Sequence, residues 1–129
     1  MKVEVISIGT ELLMSDVLDT NAAYISRSLQ TVGAELIFKV TVGDDLERIS
    51  EALRVAMKRA DVVMTIGGLG TAVHDFTKKA AAAATGTDYD PEWDVVIGAI
   101  PIDMSLSDST PFYLETEEGL AVLFAWQPA

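Results

Sequence analysis

Short β-branched apolar runs alternate with stretches of helical periodicity through the first two thirds of the chain, and this alternation restricts the fold more than any other feature. Val3-Glu4-Val5-Ile6-Ser7-Ile8 reads as a strand that ends at Gly9 and gives way to a loop through Asp19. Thr20 is expected to cap a helix over 21–32, where Ile25, Leu29 and Val32 recur at i, i+4, i+7 as one apolar stripe before Gly33 stops it. Residues 35–42 read as a second strand. Gly43-Asp44-Asp45 then opens a second helix whose Leu46, Ile49, Leu53, Met57 and Ala60 fall on one face. Residues 61–66 are short, β-branched and bounded by glycine, which suits a buried parallel strand, and an alanine-rich helix over 75–85 ends at Gly86. The order β-α-β-α-β-loop-α predicts an α/β fold, a three-layer α/β/α arrangement with a mostly parallel sheet.

The remaining third is harder to read. Asp90-Pro91 and Ile100-Pro101 interrupt any helix, and 105–110 looks like loop. Residues 111–116 and 120–125 flank Glu117-Glu118-Gly119 and predict a C-terminal β-hairpin at one edge of the sheet. A chain of 129 residues, half of them hydrophobic, is expected to be one domain spanning 1–129. It has no cysteine and a single histidine, His74, which excludes thiolate and multi-histidine metal centres. No signal-peptide core or long apolar run is visible, so a soluble, cytoplasmic protein without a membrane partner is expected. The net charge of −11 repels nucleic acid and anionic lipid. A phosphorylated ligand would then need local dipoles, Lys78 and Lys79, or a divalent cation.

In parallel sheets ligands bind at the carboxyl ends of strands, where Gly9-Thr10-Glu11, Gly43-Asp44-Asp45 and Gly67-Gly68-Leu69-Gly70 would all emerge. Glycines after a buried strand permit positive φ and close amide approach, and the next helix adds its positive dipole end, so phosphate is the natural guest. A tight, ligand-free connection would explain the same glycines. Asp44, Asp45 and Asp75 could hold Mg²⁺ against a pyrophosphate, or simply cap helices. Glu11 and Asn21 could touch a ligand's polar edge or solvate the first loop. His74 could act as acid, base or phosphate donor, or stand in solvent. No nucleophile-elbow pattern is present.

Taken in order, Gly9-Thr10-Glu11-Leu12-Leu13, Asp19-Thr20-Asn21-Ala22, Val42-Gly43-Asp44-Asp45 and Gly67-Gly68-Leu69-Gly70 with Asp75 and Thr77 closely resemble the molybdopterin-binding (MoCF-type) domain. The closest look is to the amino-terminal domain of the CinA competence-damage-inducible proteins. The resemblance implies ligand contacts from Thr10, Glu11, Asn21, Gly67, Gly68, Gly70, Thr71 and Thr77. It also implies catalytic, metal-placing roles for Asp44 and Asp75, with molybdopterin or a nucleotide phosphate as ligand and Mg²⁺ as the metal. Relatives bind or adenylylate molybdopterin, CinA-type domains are linked to ADP-ribose pyrophosphatase activity, and members form dimers or trimers.

The chain departs from the family pattern at four places. Gly70-Thr71-Ala72-Val73-His74-Asp75 replaces Gly-Pro-Thr-x-Asp-Asp, Ser15 replaces a glycine, the stretch after Gly86 is short, and Trp126 replaces a glycine of the closing loop. Two functions remain open. One is a pterin- or nucleotide-phosphate site with Mg²⁺-dependent nucleotidyl transfer or pyrophosphatase activity; the other is a non-catalytic binding or assembly subunit. Phe112, Tyr113, Phe124 and Trp126, near the expected hairpin edge, predict a homo-oligomer.

Overall fold

The structure is a computed structural model; it describes residues 1–14, 19–70, 75–101, 112–115 and 122–126, with the side chains at 101, 122, 124 and 126 left out. Among the described residues, eight strands and four helices follow one another as β1 (Lys2–Ile8), α1 (Thr10–Leu13), α2 (Thr20–Thr31), β2 (Glu35–Val42), α3 (Leu46–Arg59), β3 (Val62–Ile66), α4 (Thr77–Thr85), β4 (Tyr89–Asp90), β5 (Val95–Val96), β6 (Ile100–Pro101), β7 (Phe112–Glu115) and β8 (Val122–Trp126). The main sheet has the order β2-β1-β3-β8-β7-β6, and β4 with β5 forms a separate two-stranded ribbon. β2, β1, β3 and β8 run parallel; β7 is antiparallel to both β8 and β6.

The strand alternation of β1 divides the core into two layers. Val3 and Val5 pack with Ala22 and Ile25 of α2 on one face, while Ile6 and Ile8 pack with Ile49 and Leu53 of α3 and Ala80 and Ala81 of α4 on the other. This is the three-layer α/β/α arrangement read from the periodicity. β1 feeds α2 and returns as β2, whereas β2 feeds α3 and returns on the far side of β1 as β3. The chain therefore leaves neighbouring β1 and β3 toward opposite faces, α2 lying on one and α4 on the other. Their carboxyl ends flank the crevice that such a reversal creates.

Several boundaries differ from expectation for local reasons. Asp19, rather than Thr20, caps α2, its carboxylate accepting from the Ala22 N–H at 3.0 Å. The helix ends at Thr31, so Val32 leaves the apolar stripe and stands 74% exposed. The first loop contains the single turn α1, too short to show periodicity. The last long helix begins at Thr77, after Asp75 and Phe76. The hairpin exists, but it is not an appendage. β8 pairs with β3 through Val62↔Val122 to Ile66↔Trp126, so β8 is interior and Phe112 is buried. The surface invoked for self-association through Phe112 is thus covered by the chain itself. The loop 105–110 and the turn 117–119 lie outside the described residues.

Glu4 is the feature that periodicity should have flagged. It occupies the same face of β1 as Ile6 and Ile8 and is 1% exposed. Arg59, the last residue of α3, answers it with Nε–Oε1 at 2.6 Å and a second bond to Oε2 at 3.0 Å. The guanidinium also stacks 3.5 Å from the Phe38 ring centroid, and the carboxylate it bonds raises its pKa above the ordinary value.

Candidate functional site at the carboxyl edge of the sheet

Gly9 ends β1, Gly43 ends β2 and Gly67 ends β3, which brings three loops to one edge. The first two loops are tied directly. Thr10 N–H donates to Asp44 Oδ2 at 3.1 Å, and Asp44 N–H donates to Thr10 Oγ1 at 3.0 Å. Asp44 is therefore not a helix cap. That task falls to Asp45, whose carboxylate accepts from the Arg48 N–H at 2.9 Å. Glu11 curls back over its own loop, so that a Cβ on Gly9 would meet its carboxylate.

The third loop is pinned from beneath. Gly67 and Gly68 have φ of +102° and +71°, values that ordinary side chains rarely adopt. A Cβ on Gly67 would lie 2.6 Å from the Ile8 carbonyl oxygen, and one on Gly68 would collide with Thr77 Oγ1. The glycines are thus required by the packing of β3 against β1 and of the loop against α4, whatever binds above them. Thr77 is fully buried. Its hydroxyl donates to the Gly67 carbonyl at 2.8 Å and its N–H donates to the Gly68 carbonyl at 3.2 Å. Phe76 at the N-cap of α4 supplies no side-chain cap.

Asp75 closes the segment from the other side, its Oδ2 2.8 Å from where a Gly70 Cβ would stand. Thr10 with Asp44, Gly67 and Gly68 with Thr77, and Gly70 with Asp75 are the pairings the structure makes among the expected site residues. Contact between Gly67 and Ile8 joins the first two groups. Asn21 sits half-buried in the first turn of α2, and no described hydrogen bond ties it to the cluster. Thr71 and His74 lie outside the described residues, as does the side chain of Trp126. Among the described residues, no three His, Cys, Asp or Glu side chains come together as metal ligands. The described donors therefore do not form a protein-only cage.

Lys78 and Lys79, the cations expected to help a phosphate, both have another engagement. Lys78 Nζ lies 2.7 Å from Asp94 Oδ2, and Lys79 Nζ stands 5.8 Å from the Tyr89 ring centroid. Tyr89 OH donates a short bond to the other Asp94 oxygen. Asp94 reaches this position at the end of the β4–β5 turn with φ of +51°, a conformation aspartate tolerates. The ribbon is thereby fastened to the first turn of α4.

This cluster makes stability pH-dependent. Burial alone would raise the Asp94 carboxyl, but the bonds from Lys78 and Tyr89 outweigh it and hold the group below its ordinary value. Burial, then the Asp94 bond, pushes Tyr89 up to about 12. Asp94 thus contributes stability above the unfolded carboxylate value of about 3.9, lost as the pH falls through its lower folded value. Tyr89 contributes below about 10, a stabilisation lost as the pH rises toward its folded value. Urea unfolding of Asp94→Asn should show a flatter acid limb, and Tyr89→Phe a flatter alkaline limb. Limbs as steep as those of the unaltered protein would mean that other groups set both.

Residues 4–100 match the family model described as "Probable molybdopterin binding domain". A CinA-like protein of Kosmotoga olearia is 50% identical over 82 residues, covering 64% of this chain and 20% of that protein. A competence-damage inducible protein of Alkaliphilus oremlandii is 46% identical over 91 residues, covering 70% and 22%. The chain thus spans about a fifth of the length of these curated relatives. Among solved structures, the protein CinA from Thermoplasma acidophilum superposes with a TM-score of 0.88 at 24% identity, over all of this chain and 90% of that one. The molybdopterin biosynthesis enzyme MoaB of Thermus thermophilus gives 0.69 at 20% identity, over 99% and 81%. These two likenesses establish the fold.

Proposed function

Because the chain belongs to the molybdopterin-binding domain family and is related to CinA-type proteins, we propose that the carboxyl edge of its sheet binds a pterin phosphate or a nucleotide phosphate in the cytoplasm. The observation that carries this reading is the glycine segment: two consecutive positive-φ glycines held over a buried threonine, at the carboxyl ends of β1 and β3. Gly67, Gly68, Gly70 and Thr71 would receive the phosphate through backbone amides and the Thr71 hydroxyl. Thr10, Glu11 and Asn21 would border the rest of the ligand. Thr77 would act beneath the loop, as the residue that fixes its shape.

In a catalytic reading, Asp44 and Asp75 would be the carboxylates that orient substrate, or a Mg²⁺ ion arriving with its phosphates, for nucleotidyl transfer or pyrophosphate hydrolysis. One observation favours the second reading, a binding or assembly module without turnover. Both the carboxylate and the N–H of Asp44 are engaged by Thr10, which suits a structural tie between loops. We also propose that the protein self-associates.

Calorimetry with molybdopterin, AMP and ADP-ribose tests the site. Binding of at least one ligand in the micromolar range is expected. No heat from any of them at millimolar concentration would remove the basis of the reading. Asp44→Asn and Asp75→Asn then separate the two functions. Asparagine keeps an acceptor for the Thr10 N–H, so a catalytic role predicts intact folding and binding with turnover lost, and a tying role predicts no turnover in either form.

A further inference from the structure

The cationic charge of this acidic chain is concentrated on α3, the helix that leads away from the carboxyl-edge site. Four of its nine Lys and Arg residues, Arg48, Arg54, Lys58 and Arg59, are on α3. Between α3 and the edge strand β2 runs an open groove of about 320 Å³ with Val40, Val42, Ala52 and Val55 as its apolar part and Arg48 and Glu51 as charged lining. The Glu4–Arg59 pair closes one end. Val55 is 44% exposed, and Phe38 on β2 is equally so.

We propose that this face of α3 is the surface on which a second copy of the chain docks, the two helices crossing antiparallel about a twofold axis at Val55. This rests on the proposed self-association and specifies its surface. The pattern of α3 is self-complementary about that residue. Glu51 stands four positions before it, and Lys58 and Arg59 stand three and four after it. A twofold axis at Val55 sets Glu51 of each copy against Lys58 of the other, and Val55 against Val55, while Arg59 stays with Glu4 of its own chain. Elsewhere two copies of net charge −11 repel one another, so a face where opposite charges meet is where contact is tolerated.

The strand edge itself is protected against simple sheet extension. The β1–β2 register skips Ile37, a bulge between the Val3 and Glu4 pairings, and exposed Glu35 and Lys39 flank it. The helix, rather than the strand, is therefore the docking element. A second exposed apolar set, Trp93, Val95, Ile97 and Ile100, lies near the opposite end of the sheet and carries no comparable charge symmetry.

Sedimentation velocity of the full chain across the micromolar range decides the matter, with unfolding curves to show that each variant folds. The unaltered protein is expected to dimerise. Glu51→Lys and Lys58→Glu should each weaken the dimer about tenfold or more, because a twofold contact repeats every change. Combining them should restore association, since the charges then exchange places. A monomer throughout would overturn self-association and this surface together. A dimer indifferent to either single change, or broken by Trp93→Ser instead, would overturn the surface alone. Failure of the double variant to recover would overturn the proposed pairing.

Discussion

Gly67→Val is expected to destabilise the protein by about 3–5 kcal/mol, combining the strain of a branched residue at positive φ with a clash that only backbone movement can relieve. The Ile8 carbonyl that the new Cβ would meet at 2.6 Å belongs to β1, an interior strand held on both sides by ladder hydrogen bonds. Gly33→Ala and Gly86→Ala provide the comparison. Both glycines have positive φ, +76° and +71°, but no atom lies within 4 Å of an added Cβ, so only the conformational cost of about 1–2 kcal/mol should register. Thermal or urea unfolding of the three variants checks this ordering. A Gly67 variant no less stable than the other two would mean that β3 can withdraw from β1 without penalty.

Thr77→Val is expected to act on the site more than on the fold. Valine matches threonine in shape and keeps the buried position filled, but the Gly67 carbonyl loses its donor, at about 1–3 kcal/mol. The loop is then held by the Thr77 backbone N–H alone, and ligand affinity should fall by about tenfold or more. Thr77→Ser retains the hydroxyl and should recover affinity, although it leaves a small void. Calorimetry with the ligand that binds the unaltered protein supplies the readout. Equal affinity in the valine variant would show that the glycine segment keeps its shape unaided.

Local patterns carried the reading of the fold from β1 to α4, because each strand and helix there buries one face and therefore repeats with a period. Ile49 and Leu53 of α3 are buried as their spacing implied, and so are Val3, Val5 and Ile6 of β1. Legibility ended where structure depends on distant partners. Nothing in residues 122–126 announces that they pair with β3 rather than only with β7. The β4–β5 ribbon is two residues per strand and spans a proline, too short for alternation to register. The spacing of glycines and aspartates implied that three loops meet at one edge of the sheet, which they do, but could not tell a cap from a tie. Asp45 caps, Asp44 binds Thr10, and only the geometry distinguishes neighbours in sequence. Glu4 was legible in principle, as a charge on a buried stripe, while its partner at the far end of α3 was not.

The placement of β8 between β3 and β7 has a consequence for synthesis. Residues 122–126 fill an interior position of the sheet, pairing with a strand some sixty residues earlier. Until they leave the ribosome, β1, β2 and β3 can assemble, but β3 presents a bare edge of unpaired amides and carbonyls. The contact that covers it must close that whole intervening loop, so it forms late and slowly relative to the helical contacts. A nascent chain held before this point is an open template for strand addition. Truncation by a few residues within β8 would leave it in that aggregation-prone state.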